Sequence, residues 1–204
     1  MVRPPRKEED EMKILLAVLG VLALIPLIVG GAYVGSRNEM VRKNEAVKQA
    51  WSQVDVVLQR RADLIPNLVA TVKGYAQQEQ KVFGDIANAR ARLLNARTPE
   101  DKIAANGQLD GAIGRLLAIV ENYPNLKSDQ NFRALQDELA GTENRIAVER
   151  RRYNEALQDY NAYIGLFPNY IFARWAGFQR NNAYFAASEA ARVAPKVDFS
   201  TPKQ

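Results

Sequence analysis

The sequence predicts an all-α protein: an N-terminal transmembrane helix followed by an up-and-down antiparallel four-helix bundle with long helices. Three observations carry that expectation. An uncharged run fills 14–35, apolar residues beyond it recur at spacings of three and four, and Asn-Gly turns flanked by alternating strands are missing. The expected layout is a polar tail over 1–13, the membrane helix over 14–35, the bundle over 36–168, and an aromatic C-terminal segment over 169–204 that caps the membrane-proximal end.

The chain of 204 residues has room for one domain beside an anchor. It contains 0 His and 0 Cys, which excludes His- and Cys-based metal sites, disulfides, thiol nucleophiles and imidazole acid–base pairs. No cofactor and no small-molecule substrate are expected. The lack of Cys also leaves the redox compartment undetermined. A net charge of +5 comes from 28 Lys and Arg interspersed with 23 Asp and Glu. No basic stripe interleaves with aromatics, so the surface reads as solvated mixed charge, with no nucleic-acid partner and a mild attraction to anionic lipid.

Ile14 to Gly35 holds 22 residues without a charge, against the roughly 20 that a helix needs to cross a bilayer core. Pro26 is tolerable there as a kink, and Tyr33 stands where interfacial aromatics settle. A cleaved signal peptide is the rival reading, since Gly30-Gly31-Ala32 offers small residues. The length of the run and the acidic Glu8-Glu9-Asp10-Glu11 before it favour an anchor. Sidedness stays open: Arg3, Arg6, Lys7 and Lys13 balance Arg37, Arg42, Lys43 and Lys48.

Four helical segments follow. The first runs from about Ser36 to Arg61 on a seam of Met40, Val47, Trp51, Val54 and Leu58, with Asn44 as a register-fixing polar residue. The second starts near Asp63 as N-cap with Pro66 in its first turn, and its seam is Ile65, Leu68, Val72, Tyr75, Val82, Ile86, Ala89 and Leu93, interrupted by Glu79. Glu79 is expected to meet an Arg or Lys on a facing helix. Thr98-Pro99-Glu100-Asp101 opens the third, lined by Ile103, Leu109, Ile113, Leu116 and Val120. Gly107, Gly111 and Gly114 inside it suggest close approach of another helix rather than a phosphate loop. Ser128 is the expected cap of the fourth, whose seam is Phe132, Leu135, Leu139, Thr142, Ile146, Tyr153, Ala156, Tyr160, Tyr163 and Phe167, with Glu149 as its charged position.

Short connections make these neighbours antiparallel, so Phe167 is expected near the membrane. The next stretch is rich in aromatics. Tyr170, Phe172, Trp175 and Phe178, with Arg174, either form a short amphipathic helix at the lipid interface or plug the proximal end of the bundle. The pairs Tyr153-Asn154 and Tyr160-Asn161 recur one heptad apart, and the two amides read as structural.

The stretch Asn44 to Glu79 (NEAVKQAWSQVDVVLQRRADLIPNLVATVKGYAQQE) resembles the signature of the LemA family. The likeness continues through 121–169 and the Pro195-Lys196-Val197-Asp198-Phe199 ending, covering nearly the whole chain after the anchor. It implies a bacterial, N-terminally anchored, single-pass membrane protein with a helical bundle, and it implies no activity. A lipoprotein Cys in some relatives gives a slight lean to an extracytoplasmic bundle.

Laid on the expected topology, the signature puts Arg60, Arg61, Asp63, Pro66 and Asn67 in the turn between helices one and two, and Glu121, Tyr123, Pro124, Asn125, Leu126 and Lys127 in the turn between three and four. Both turns are then distal to the bilayer. They read either as helix ends and a core cover or as a docking surface formed by Arg60, Arg61, Asp63, Asn67, Glu121, Tyr123, Asn125 and Lys127. The function expected is a non-catalytic scaffold or interaction module that meets the lipid bilayer through 14–35 and an unknown protein partner, or itself. The alternative is an accessory subunit of a membrane peptidase or transport assembly. A carboxylate metalloenzyme built on Glu79, Glu121, Glu143 and Glu149 is a remote third option, since the Glu-x-x-His motif of di-iron bundles is missing.

Overall fold

The computed structural model describes residues 6–186, with side chains from Asp10 onward. Among them are six helices and no strand: α1 Arg6–Lys73, α2 Gln80–Asn95, α3 Pro99–Val120, α4 Pro124–Ser128, α5 Gln130–Gly165 and α6 Asn169–Ala176. Four were expected after the anchor, with a further short helix as one reading of the aromatic stretch after Pro168; α6 falls in that stretch, and α4 is the helix not foreseen.

The larger correction concerns α1. The sequence predicts a break between Arg61 and Asp63, yet the helix passes Asp63 and Pro66 unbroken and ends at Lys73. The turn falls instead at 74–79, and the single second segment expected over 63–93 is the end of α1 plus α2. Proline inside a helix removes the N–H that would bond the carbonyl four residues back. Here that carbonyl belongs to Ala62, and it accepts a 2.7 Å hydrogen bond from Arg90 Nε of α2. Since Ala62 is buried, the arginine replaces a bond that water could not supply.

Other ends follow local chemistry. Thr98 Oγ1 accepts from the Asp101 backbone N–H at 3.1 Å, as its position before Pro99 predicts. The cap of α5 is Asp129, not Ser128: Asp129 Oδ1 accepts from the Phe132 N–H at 2.9 Å, while Ser128 closes α4 and donates to the Pro124 carbonyl. That backbone bond, with help from the Tyr75 hydroxyl, holds the Asp129 carboxyl below its ordinary pKa. Gly177, at φ 77°, ends α6 in the left-handed conformation that glycine tolerates best.

The chain divides into two compact units, Met1–Gln49 with Glu155–Asn181 and Ala50–Asn154 with Asn182–Gln204. In the first, every Met, Leu, Ile and Val described before Val41, except Met40, is exposed. Met40, Val47, Leu157, Tyr160, Ile164 and Phe172 form its buried part. In the second, Arg92 donates to Gln108 at 2.9 Å and Arg115 pairs with Asp85 at 3.4 Å, which sets α2 antiparallel to α3. Pairs of Asp55 with Lys102 and Arg61 with Asp110 set α1 parallel to α3. Tyr75 with Asp129 at 2.9 Å and Arg61 with Glu143 at 2.7 Å set α1 antiparallel to α5.

Gly107, Gly111 and Gly114 do not mark a close approach. All three are exposed, and a Cβ at Gly107 or Gly114 would meet nothing within 4 Å. Gly107 and Gly111 line an open groove with Asp85, Arg92 and Arg115.

Replacing Arg90 by Met strands the Ala62 carbonyl and should cost about 1–3 kcal/mol in urea denaturation. In a Pro66→Ala background the new N–H takes that carbonyl, so the same replacement should cost clearly less. Equal costs in both backgrounds would refute the substitution of one donor for the other.

Candidate functional site

The residues expected to share a tip are divided by the structure. Arg60, Arg61, Asp63 and Asn67 lie on the body of α1, not in a turn. Arg60 pairs with Glu138, and Asp63 accepts from Gln59 at 2.9 Å. Glu121, Tyr123, Asn125 and Lys127 do lie together around α4, where Lys127 pairs with Glu121 at 2.6 Å. The true turn out of α1 joins them: Gln78 Nε2 donates to the Tyr123 hydroxyl at 2.8 Å, and that hydroxyl donates to Glu79 at 3.4 Å. Glu79 thus meets a tyrosine rather than the expected cation.

Arg61 is buried, with 7% of its side chain exposed, and stands at the centre of a polar cluster. Its guanidinium pairs with Asp110 of α3 and with Glu143 of α5, the latter at 2.7 Å, and reaches Asn106 Oδ1 at 3.5 Å. Asn106, wholly buried, donates to Asp110 at 3.1 Å, and Arg150 stands 3.7 Å from the same carboxylate. Two cations face two anions, so the cluster is neutral. Partners drawn from three helices fix their mutual register, at the expense of desolvation that apolar side chains would avoid.

The four carboxylates named as a remote metal set are dispersed. Glu79 meets Tyr123, Glu121 meets Lys127, Glu143 meets Arg61, and Glu149 pairs with Arg152 at 2.9 Å. Among the described residues no three metal-binding side chains gather.

The heptad-related asparagines do something the sequence did not disclose. Asn154 Nδ2 donates to the Phe185 carbonyl at 2.8 Å while its Oδ1 accepts from the Phe185 N–H at 3.0 Å. Asn161 treats Asn181 the same way, at 2.5 and 3.0 Å. Each amide acts on a non-helical residue of the C-terminal segment as a neighbouring strand would, satisfying both backbone groups. Tyr160 adds a 2.9 Å bond to the Gln179 carbonyl.

Phe185 completes an aromatic cluster. Its ring lies 6.2 Å from Trp51, stacked, and 5.9 Å from Tyr153, edge-on, with the Arg150 guanidinium 5.0 Å from its centroid. Tyr153 is 1% exposed, and among the described residues its hydroxyl has no hydrogen-bond partner. Burial, followed by the charge of Glu100, pushes its phenol up to about 12.

Of the residues expected at the lipid interface or in a plug, Phe172 is buried and Phe178 half-buried, while Tyr170, Arg174 and Trp175 are exposed. Tyr33 contacts Phe172 edge-on at 5.7 Å and Trp175 at 6.5 Å, and Ser36 Oγ donates to Asn169 Oδ1 at 2.8 Å.

Together these features define a protein that is all-helical among the described residues, with one helix there long and apolar enough to cross a membrane, and with polar clusters that fasten helices to one another. The chain belongs to the LemA family, whose pattern matches residues 50–199. The stretch 187–199 of that match, with the Pro195-to-Phe199 ending, lies outside the described residues. Magnetosome protein MamQ 2 of Paramagnetospirillum magneticum is 28% identical over 191 residues, covering 81% of this chain and 70% of that protein. MamQ of Magnetospirillum gryphiswaldense is 27% identical over 203 residues, covering 87% and 74%. Protein LemA of Metamycoplasma hominis is 27% identical over 162 residues, covering 79% and 74%.

Amide exchange reads the two asparagine clamps separately. Asn154→Ala should deprotect the Phe185 N–H, and Asn161→Ala the Asn181 N–H, with α3 unchanged in both; retained protection would show that the amides do not hold the segment. Tyr153→Phe removes an orphaned hydroxyl and should be neutral or stabilising by up to about 1 kcal/mol at neutral pH. A phenol raised by folding holds its proton more tightly in the native state, so its contribution is intact below the unfolded pKa of about 10 and lost as pH climbs toward 12. The wild type should therefore lose stability more steeply over that window than the Phe variant, as measured by denaturation at each pH.

Proposed function

We propose that this protein is a membrane-tethered, non-catalytic scaffold whose helices are held in fixed register so that one end of the Ala50–Asn154 unit can dock a protein partner. The observation that carries the tether is the helix α1 itself. Its Met, Leu, Ile and Val side chains from Met12 to Leu27 are all at least half exposed, a state costly in water and favourable in lipid. The same helix then continues without a break to Lys73. The names of the MamQ relatives, magnetosome proteins, fit a bacterial membrane location.

The helices beyond the span read as an up-and-down four-helix bundle made of α1, α2, α3 and α5, with α4 as part of a tip. The docking surface is the Tyr123, Asn125 and Lys127 face around α4, bordered by Gln78 and Glu79. Arg61 supports the bundle from within and Arg60 from its flank, and neither is part of that face.

The full chain should stay with membranes through alkaline carbonate washing and float with liposomes, and deletion of 14–35 should release it. Lys127→Glu combined with Asn125→Arg should abolish in-cell crosslinks to the partner while helical content stays unchanged. A chain left in the soluble fraction would end the tether reading; crosslinks indifferent to the double variant would end the tip reading.

A further inference from the structure

The region around α6 turns an apolar and aromatic face outward. Leu166 is 62% exposed, Phe167 78%, Tyr170 44% and Trp175 69%, all within ten residues. Helical spacing explains the division of labour. Phe172 and Ala173 are buried, whereas Tyr170, Arg174 and Trp175 fall on the other side and, with Ile171, line an open groove. An eight-residue helix has little reason to present a tryptophan and a tyrosine to water.

Its position supplies the reason. Tyr33 lies at the C-terminal end of the uncharged run, and it is Tyr33 that contacts both Phe172 and Trp175. One turn further, Ser36 is tied to Asn169, the first residue of α6. The short helix is thereby fastened at the level where the span ends and its charged flank begins with Arg37. At that level a bilayer changes from acyl chain to headgroup, where Trp and Tyr rings are favoured and Arg meets phosphate. Arg37 and Arg174 are both exposed, and among the described residues neither belongs to an ion pair.

We propose that α6 is a second membrane contact, lying in the interfacial layer with Phe167, Tyr170 and Trp175 among the headgroups and Arg174 on lipid phosphate. Phe172 is then the pin that joins this helix to the protein, and Trp175 the residue that meets lipid. The inference rests on the tether reading, because the depth of α6 is set by where the span ends.

The chain has 2 Trp, Trp51 and Trp175, so emission can be assigned by difference. The full chain and its Trp175→Phe variant are reconstituted in liposomes containing lipid brominated near the headgroup or deep in the acyl chain. Flotation of the same preparations checks the tether independently. The wild type should float and lose emission, more with shallow than with deep bromine, and the variant should float with that loss abolished. Wild-type protein that floats without quenching, or a variant quenched as strongly as wild type, overturns the proposal and leaves the tether standing. Protein that fails to float overturns both. Crosslinks between copies through Trp175, with no quenching, would assign the face to self-association instead.

Discussion

The arrangement of the helices depends on one backbone carbonyl. Pro66 deprives Ala62 of its helical partner, and a helix that carried this defect into a buried position would ordinarily kink or stop. Arg90 prevents that by donating from a neighbouring helix at 2.7 Å. Because α1 continues, its last two turns with Leu68 and Val72 stay in the core, and the chain reverses at 74–79 beside Tyr123. Had it reversed near Arg61, the guanidinium that now pairs with Asp110 and Glu143 would have stood at a surface turn.

The interior is more polar than a scaffold needs for stability alone. Arg61, Asn106, Asp110, Glu143 and Arg150 form a neutral network among three helices, with Arg61 and Asn106 buried. Removing one partner of a wholly buried pair costs about 3–5 kcal/mol, and the half-exposed carboxylates here bring the figure below that. Geometry is what such a network contributes: its ion pairs tie α1, α3 and α5 to one another at fixed positions. Fixed register is the property required of a molecule proposed to act by presenting a surface. The asparagine clamps extend the same logic to the C-terminal segment, since they grip its backbone.

Much of this was legible in the sequence. The seam residues Met40, Val54, Leu58, Leu68, Ile86, Leu109, Leu116, Phe132 and Ile146 are all buried, because spacings of three and four report helix faces directly. Late in α5 the pattern drifts: Leu157 and Ile164 are buried while Ala156 and Tyr163 are half-exposed, as a 3.5-residue repeat slips against 3.6 residues per turn. The turn was misplaced because Asp63 followed by Pro66 carries a strong local start signal, and the arginine that overrules it is 28 residues away. Asn106, Asp110 and Arg150 went unnoticed for a similar reason. Polar residues beside a seam look solvated until the partner helices are known. The asparagine pairs were visible as a heptad repeat, but their partners lie in a segment without periodicity.

The central claim is that α1 runs unbroken through Pro66. With no native Cys, two labels can be placed uniquely, at Ser52→Cys and Ala70→Cys, both exposed positions on α1. Pulsed electron–electron resonance between nitroxides there should give a distance near 27 Å, the rise of about 18 helical residues. A reversal between Arg61 and Asp63 would fold the two sites alongside each other at about 10 Å, the spacing of packed helices, and that distance would contradict the account.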